Sequence, residues 1–251
     1  EDPNPQQYLP QDWSEAHYAG SVVKEPANNT LDSWERLPPF FSEENEGRKR
    51  WKARFDTPAK YRSMMTNYFR LATEVDHACG AILDELSRQG ARENTLVIFT
   101  ADNGYYHGEH GLADKWYPHE ESIRVPLIVD DPRLPEEVRG TTRPEMVLNV
   151  DLATTILSAT GIDPPTSMQG ADISTLYLGS DGDDDDWRTD FFYEHPTHRS
   201  PSFIPASEAL VTKDWKYLFW PEQGYEQLFD LKADPHEEQD LARSPQHQQR
   251  L

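Results

Sequence analysis

The stretch at residues 95–115, TLVIFTADNGYYHGEHGLADK, decides the fold of this chain. Residues 95–100 are apolar and rich in β-branched side chains, a composition typical of a strand buried on both faces of a parallel sheet. Asp102 and Asn103 follow directly, and residues 105–115 hold two His, one Glu, one Asp and one Lys. Ligand sites in open α/β sheets form beyond the carboxyl ends of the strands, so a site is predicted here.

The overall composition restricts the partners. The 251 residues are 36% hydrophobic and 11% aromatic, enough for a packed core. There are 24 basic and 45 acidic residues, a net charge of −21, which argues against nucleic acid or an anionic membrane surface as partner. No apolar run approaches the ~18 residues of a membrane span, so we expect a soluble protein. The compartment stays open, with a periplasmic or secreted location as one alternative.

Upstream of the strand, apolar residues recur at three- and four-residue steps from Pro58 to Gly90. This spacing predicts a long amphipathic helix that ends at Gly90. The single cysteine, Cys79, excludes an intrachain disulfide, and its apolar neighbours in the helix favour a buried structural thiol over a nucleophile. Residues 1–58 show no sustained period and predict an irregular segment with short helices.

Two further apolar runs follow downstream, RVPLIVDDP (124–132) and EMVLNV (145–150), and we predict that both are buried. Asp151 is the predicted N-cap of a short helix closed by Gly161. The α/β pattern continues to about residue 178. The acidic run SDGDDDD (180–186) is interpreted as an exposed linker, with cation chelation as the less favoured alternative.

The remaining residues change pattern. EALVTKDWKYLFW predicts two short strands joined by a turn at Lys213-Asp214, YEQLFDL predicts a third, and the tail reads as a loop followed by a polar helix. We therefore predict an α/β portion over residues 1–178 and a small antiparallel subdomain over residues 179–251.

The ionisable residues after the strand allow two interpretations. Adjacent oxygen ligands at Asp102 and Asn103 suit a hard cation such as Ca²⁺ or Mg²⁺, although spacing alone favours an ordinary type I turn. Lys115 supplies a charge that could neutralise a sulfate or phosphate oxygen, but isolated lysines usually lie on the surface. His107 and His110 fit proton donors or anion contacts, and equally fit exposed loop residues.

Taken together, these residues resemble the sulfatase family of the alkaline-phosphatase-like superfamily. The stretch TLVIFTADNGYYHGEHGLADKWYPHEESIRVPLIV looks like the family's metal strand, its Gly-Glu-His-Gly loop, its sulfate-contacting lysine and its E-E-x-x-R-V-P-L-I-V strand. The helix with VDHACGAIL, the helix NVDLATTILSATGI and the C-terminal strands also match family patterns. The resemblance runs from about Tyr61 to Leu241.

The resemblance implies an alkaline-phosphatase-like α/β/α sandwich with a mainly parallel sheet and a small C-terminal antiparallel sheet. It implies that Asp102 and Asn103 ligate a calcium-type ion, that Lys115 contacts the sulfate, and that His107 and His110 lie at the pocket rim and touch the substrate. The substrate would be a sulfated small molecule or carbohydrate.

One family feature is missing from the sequence. The nucleophile of sulfatases is a formylglycine made within a C/S-x-P/A-x-R motif, and no such motif occurs in the 251 residues. The family's N-terminal metal-binding aspartates also have no match. We therefore expect the C-terminal half of a sulfatase, whose partner is the N-terminal half of the same protein and which is inactive alone.

Two alternatives remain open from the sequence. A phosphodiesterase or phosphonate monoester hydrolase of the same superfamily could use a similar metal strand and lysine. A non-catalytic binding protein could keep the fold and use the pocket for recognition. His195, His198 and Arg199, in the segment YEHPTHRSPSF, fit either a sugar contact or an exposed loop.

Overall fold

A computed structural model of the chain describes residues 8–179 and 187–247. The acidic run at 180–186 lies outside the described residues. Within them the chain forms two compact units. Unit 1 comprises Glu1–Glu85, Asn103–Arg124 and Phe192–Leu251, and unit 2 comprises Leu86–Asp102 and Val125–Phe191. The predicted boundary near residue 178 stays a prediction.

The N-terminal segment of unit 1 is irregular with short helices, as predicted. A 3₁₀ turn at Asp12–Ser14 precedes helices α1 (Leu31–Glu35) and α2 (Glu46–Arg54). Each α-helix begins at a side-chain cap, because Thr30 accepts from the backbone N–H of Ser33 and Asn45 accepts from that of Arg48. The segment is anchored by its apolar side chains.

Two apolar clusters form the core of unit 1. Buried residues of the first cluster are Leu37, Phe41, Tyr106, Leu112, Tyr117, Ile204 and Trp220. Those of the second are Phe55, Tyr61, Met64, Met65 and Ala113. Aromatic side chains from the N-terminal segment and the C-terminal sheet thus enclose the loop that carries the predicted site.

The long helix is confirmed as α3, which spans Pro58–Arg88. Gly90 has a φ of 67°, and the backbone N–H of Ala91 donates to the carbonyl of Leu86 over 2.9 Å, so the helix ends in the expected left-handed cap. Burial is confined to the first turns of α3. Cys79 is only half-buried, so the predicted buried thiol is wrong: the helix face that carries it is largely exposed.

The predicted strands of unit 2 form, but in a different sheet. Strands β1 (Val97–Thr100) and β4 (Leu127–Asp130) pair antiparallel, with Phe99 opposite Ile128. These two side chains are 39% and 61% exposed, so the expectation of burial on both faces in a parallel sheet is wrong for this pair. Within the described residues this sheet has only two antiparallel strands, whereas parallel sheets buried on both faces are larger and covered by helices.

Helix α5 spans Val150–Ala159 and is followed by Gly161 at a φ of 73°. The predicted N-cap is wrong, because Asn149 precedes the helix and Asp151 lies inside its first turn. The predicted buried run at 145–150 is also wrong, since residues 145–149 are half-buried or exposed coil. Side chains rather than a neighbouring strand satisfy this backbone: Arg188 and Trp187 donate to the carbonyl of Met146.

The C-terminal residues form a four-stranded sheet in the order β5-β6-β7-β8. Its strands are β5 (Asp190–His195), β6 (Ser207–Thr212), β7 (Trp215–Trp220) and β8 (Tyr225–Asp230). The three predicted strands are confirmed, with β6–β7 and β7–β8 antiparallel. Strand β5 was not predicted from the sequence.

The predicted polar helix of the tail is wrong for the described residues 231–247, which form turns. The backbone N–H of Leu241 donates to the carbonyl of Leu228, and the carboxylate of Asp240 accepts from the N–H of Leu228. The tail therefore forms hydrogen bonds with β8 instead of forming a helix. Pro235 and Pro245 also disfavour a continuous helix.

Two short strands, β2 (Tyr106–His107) and β3 (Ala113–Asp114), form a hairpin in unit 1, and helix α4 (Glu120–Ile123) follows it. A further short helix, α6, spans Thr175–Leu178 in unit 2. No helix within the described ranges is long and apolar enough to cross a membrane.

Candidate functional site

The loop after β1 is fixed by a close backbone approach at Gly104. Its N–H donates to the carbonyl of Ser122 over 2.8 Å. A Cβ at this position would lie 2.2 Å from the carbonyl oxygen of Glu121 and 2.8 Å from that of Arg124. Only glycine fits against α4 here, and the contact fixes the position of the preceding residue, Asn103.

Two of the predicted site residues meet in unit 1. The ammonium group of Lys115 donates a hydrogen bond to Oδ1 of Asn103, and Nδ2 of Asn103 donates to the carbonyl of Gly104 over 2.7 Å. The backbone is left-handed on both sides of the lysine, with φ values of 75° at Asp114 and 91° at Trp116. Such conformations are costly for non-glycine residues and are concentrated at functional sites.

Asp114, which the sequence analysis did not single out, anchors this segment. Its Oδ2 accepts hydrogen bonds from Arg50 over 2.5 Å and from Arg54 over 2.9 Å, and the residue is 8% exposed. The two arginines are four residues apart on α2, so they lie on one face of the helix. The four-residue spacing of the two arginines and the adjacent Asp114-Lys115 pair are the sequence features from which this cluster could have been predicted.

Asp102 ends the segment Leu86–Asp102 of unit 2 and directly precedes Asn103. A carboxylate and an amide oxygen in succession are donors of the type that Ca²⁺ and Mg²⁺ prefer. Among the described residues no group of three or more His, Cys, Asp or Glu side chains could hold a metal ion. Two oxygen donors are fewer than the about six to eight that Ca²⁺ takes, so a metal role of Asp102 and Asn103 stays a prediction.

His107 is enclosed by aromatic rings. Its imidazole lies 4.4 Å from the ring centroid of Tyr68, 4.8 Å from that of Tyr105 and 6.4 Å from that of Phe55. Burial lowers the pKa of His107 to about 4, so the ring is neutral at pH 7.

His110 is 1% exposed and has a φ of 56°. Its ring stacks on that of His119 at 4.6 Å, and its Nε2 lies 3.7 Å from Oε2 of Glu121. Burial opposes the charged form, but the nearby Glu121 carboxylate outweighs it and raises the pKa of His110. Both histidines are enclosed rather than exposed at a rim; substrate contact by either stays a prediction.

A small cavity of about 10 Å³ beside His110 is also lined by Glu237. Glu237 belongs to a buried ion cluster that the sequence analysis missed. Lys216 Nζ lies 2.8 Å from carboxylate oxygens of both Glu237 and Glu120, and donates to the carbonyl of Pro118 over 2.9 Å. Burial raises the pKa of Glu237 to about 7, against the opposing effect of the Lys216 charge. The cluster ties β7 to α4 and the tail within unit 1.

A larger cavity of about 270 Å³ lies elsewhere in unit 1. The three residues that the sequence left open, His195, His198 and Arg199, all line it. Arg50 of α2 and Trp116, the residue after Lys115, line it as well. The end of β5 and the segment that follows it therefore line the same cavity as Trp116, which directly follows the lysine predicted to contact the sulfate.

Two family models match the chain. The model described as Sulfatase matches residues 8–162. The model described as N-sulphoglucosamine sulphohydrolase, C-terminal, matches residues 108–250. Together they cover almost all of the described residues, including both cavities and the loop after β1.

A curated relative is the N-acetylglucosamine-6-O-sulfatase of Bacteroides thetaiotaomicron. It is 30% identical over 220 residues, which cover 86% of this chain and 38% of that protein. The chain thus spans well under two thirds of the length of this relative.

Two solved structures share the fold. One, a protein in complex with its substrate D-glucosamine-2-N,6-O-disulfate, gives a TM-score of 0.79 at 21% identity and covers 97% of this chain and 60% of its own. The other, the phosphonate monoester hydrolase SpPMH from Silicibacter pomeroyi, gives 0.80 at 22% identity, covering 95% and 50%. These similarities confirm the predicted fold class, an alkaline-phosphatase-like α/β fold with a small C-terminal antiparallel sheet.

Proposed function

Because the chain belongs to the sulfatase family, whose model matches residues 8–162, we propose that it is part of a metal-dependent hydrolase of sulfate esters. In this proposal Lys115 contacts the sulfate, and Asp102 and Asn103 are two of the metal ligands. Membership in the family implies a metal ion and a formylglycine in general. The formylglycine would be supplied by a part of the protein that precedes this chain.

The observation that carries the proposal is the hydrogen bond from Lys115 to Asn103. It places the ammonium group on the amide of the residue that follows Asp102, although the two partners are twelve positions apart. A cation held beside a metal ligand is suited to an anion that also binds the metal. The anchoring of Asp114 by two arginines fixes the backbone next to this lysine.

When bound, the metal would orient the sulfate and stabilise the negative charge that develops on its oxygens. The residues of this chain have a separate task. Lys115 would pair with a sulfate oxygen, and its left-handed neighbours would hold it in place. Calcium fits the carboxylate and amide donors best, with Mg²⁺ as the alternative.

We also propose that the N-terminal half of the protein covers the apolar face of the β1–β4 pair. Phe99 and Ile128 are cross-strand partners on that face and are both exposed. Large contiguous apolar patches on a protein surface mark interaction sites, and this cross-strand pair would form part of such a patch. Completing the sheet and the metal site would then require the same partner, and the 251-residue chain alone would be inactive.

The substrate class that we propose is a sulfated carbohydrate or sulfated small molecule. The relative named above is an N-acetylglucosamine-6-O-sulfatase, and one solved structure with the same fold holds a disulfated glucosamine. A periplasmic or secreted location stays a prediction.

The test is hydrolysis of 4-nitrophenyl sulfate by the protein that contains both this chain and the preceding half, matured to carry formylglycine. We expect turnover that is lost with a chelator and restored by Ca²⁺. Lys115→Ala should lower kcat by about 100-fold or more, as for other groups that stabilise developing charge. Lys213→Ala, at the exposed turn between β6 and β7, is the matched control.

Two results would contradict the proposal. Turnover of a phosphonate monoester without turnover of the sulfate would assign the protein to phosphonate hydrolysis instead. Turnover by the 251-residue chain alone would show that the nucleophile and all metal ligands lie within it.

A further inference from the structure

The cavity of about 270 Å³ in unit 1 has an unusual charge balance for this protein. The chain carries a net charge of −21, yet the residues that line the cavity include two arginines and two histidines and a single acidic residue, Glu46. Glu46 accepts from Nε of Arg50 over 2.7 Å, and Asp114 accepts from Nη1 of the same guanidinium. The charge of Arg50 is therefore already balanced.

Arg199 differs from Arg50. Within residues 8–179 and 187–247 it forms no ion pair, and its guanidinium lies over the ring of Phe203 at 4.8 Å from the centroid. Its φ of 63° places the residue in the left-handed region. The neighbouring His198 is tied to Ile204 by a backbone hydrogen bond of 3.0 Å. One wall of the cavity thus presents a positive charge that forms no ion pair with a carboxylate of the described residues.

His195 adds an unsatisfied polar group. Its Nδ1 is buried and has no hydrogen-bond partner among the residues that the structure describes. Burial lowers the pKa of His195, so the neutral imidazole is favoured near pH 7. A buried nitrogen without a partner is costly and is usually explained by a missing water or ligand. A sugar hydroxyl is a suitable partner, because it can both donate and accept.

Trp116 provides an apolar wall that is already in place. The hydroxyl of Tyr193 donates to the Trp116 carbonyl over 3.2 Å, which holds the backbone at its φ of 91°. The guanidinium of Arg50 lies 5.2 Å from the centroid of the indole. Trp116 also follows Lys115 directly, so the cavity is joined by one peptide bond to the residue proposed to hold the reacting sulfate.

We propose that this cavity binds the sugar part of the substrate and that Arg199 pairs with a second anionic group, a sulfate or a carboxylate, on that sugar. The assignment rests on the proposed function, because it takes the sulfate at Lys115 as the group that is hydrolysed. His195 hydrogen-bonds a sugar hydroxyl, and Trp116 contacts the apolar face of the ring. The substrate class is therefore a sugar that carries at least two negative groups.

The test is equilibrium binding to the 251-residue chain by isothermal titration calorimetry, which needs no turnover. The probes are D-glucosamine-2-N,6-O-disulfate, iduronic acid 2-sulfate and N-acetylglucosamine 6-sulfate; the first two carry a second anionic group and the third does not. We expect at least one of the two doubly charged sugars to bind about tenfold more tightly than N-acetylglucosamine 6-sulfate, since charge-assisted pairs with guanidinium are strong. The sugar that is preferred identifies the second group as sulfate or carboxylate.

The matched pair of variants is Arg199→Gln and Arg243→Gln. Both arginines are exposed and lie over an aromatic ring, but Arg243 lies over Tyr225 and does not line the cavity. Arg199→Gln should abolish the preference for the doubly charged sugar, Arg199→Lys should keep part of it, and Arg243→Gln should leave it unchanged. Melting midpoints followed by circular dichroism would check that all three variants are folded.

Equal binding of singly and doubly charged sugars, or an unchanged preference in folded Arg199→Gln, would overturn the inference. The two proposals fail separately. If the whole protein hydrolyses 4-nitrophenyl sulfate but shows no preference, the function stands and the role of Arg199 falls. If the preference is present but the whole protein does not hydrolyse sulfate, the cavity binds anionic sugars and the sulfatase proposal falls.

Discussion

Lys115 donates a hydrogen bond to the amide oxygen of Asn103, the same atom that would face a metal ion. A cation and an ammonium group cannot both take this oxygen at close range without repulsion. We therefore expect the lysine to turn from Asn103 towards the sulfate when a metal and its substrate are bound. The hydrogen bond shows that the ammonium group of Lys115 can reach Asn103. The proposed chemistry requires it to reach the sulfate from the same place.

The first prediction concerns Asp102. Asp102→Ala in the whole protein should lower calcium occupancy, because it removes a charged oxygen donor. Metal content after dialysis, measured by mass spectrometry of the ion, checks this. Asp163→Ala, at an exposed position, is the control. Unchanged occupancy in Asp102→Ala would make Asp102 an ordinary turn residue.

The second prediction concerns His107. Its pKa is lowered from 6.5 to about 4 by burial, so the unfolded chain binds a proton more readily between those pH values. The free energy of unfolding should therefore fall as the pH drops from 6.5 to 4, by about 2–3 kcal/mol at roughly 1.4 kcal/mol per pKa unit. His107→Phe keeps an aromatic ring and should flatten this part of the pH profile.

The measurement for His107 is urea unfolding of the 251-residue chain at several pH values. His236→Phe serves as the control, because its side chain is 61% exposed. An identical pH profile in His107→Phe and the parent would show that the imidazole is solvated rather than enclosed.

The third prediction concerns Lys216. This lysine is 0% exposed and lies against the buried Glu237, so Lys216→Met leaves a carboxylate without its partner. Removing one partner of a buried ion pair costs about 3–5 kcal/mol. Urea unfolding should show this loss, whereas Lys232→Met at an exposed position should change stability by less than about 0.5 kcal/mol. Restored stability in the double variant Lys216→Met/Glu237→Gln would support the pairing, and an additive loss would contradict it.

The fourth prediction concerns Asp151 in unit 2. Its carboxylate is fully buried and accepts from the backbone N–H groups of Leu148 and Ala171 over 2.7 and 2.8 Å, and from Arg188. Asp151→Ala removes the acceptor of two backbone N–H groups and of the Arg188 guanidinium, and should destabilise unit 2 by about 3–5 kcal/mol. Hydrogen exchange of amides in α5 would report the loss locally. Asp151→Asn loses the charge but keeps one acceptor and should cost less; a loss equal to that of Asp151→Ala would contradict the role assigned to the accepted hydrogen bonds.

Several elements could be predicted from the sequence because the signal is local. The period of the apolar residues and Gly90 gave α3 and its end, and the alternating pattern after residue 206 gave β6 to β8. The motif that surrounds Asp102, Asn103 and Lys115 led to the sulfatase family, which the family models confirm.

Other features could not be predicted because their energy comes from distant residues. Strand β5 forms through pairing with β6, and the tail bonds to β8 rather than forming a helix. Asp151 was read as a cap, since nothing in its own neighbourhood indicates Arg188, 37 positions away. The burial of His107 and His110 likewise depends on aromatic and acidic side chains from several segments.

The sequence by itself determined the family, the helical and strand periods, and the residue types at the end of β1, because these depend on neighbours along the chain. Only the tertiary structure decided that Lys115 reaches Asn103, that Asp114 is clamped by Arg50 and Arg54, and that Arg199 faces a cavity with its charge unbalanced. Hydrogen bonds, burial and charge balance depend on which side chains meet in space, and the fold brings together residues that are tens of positions apart.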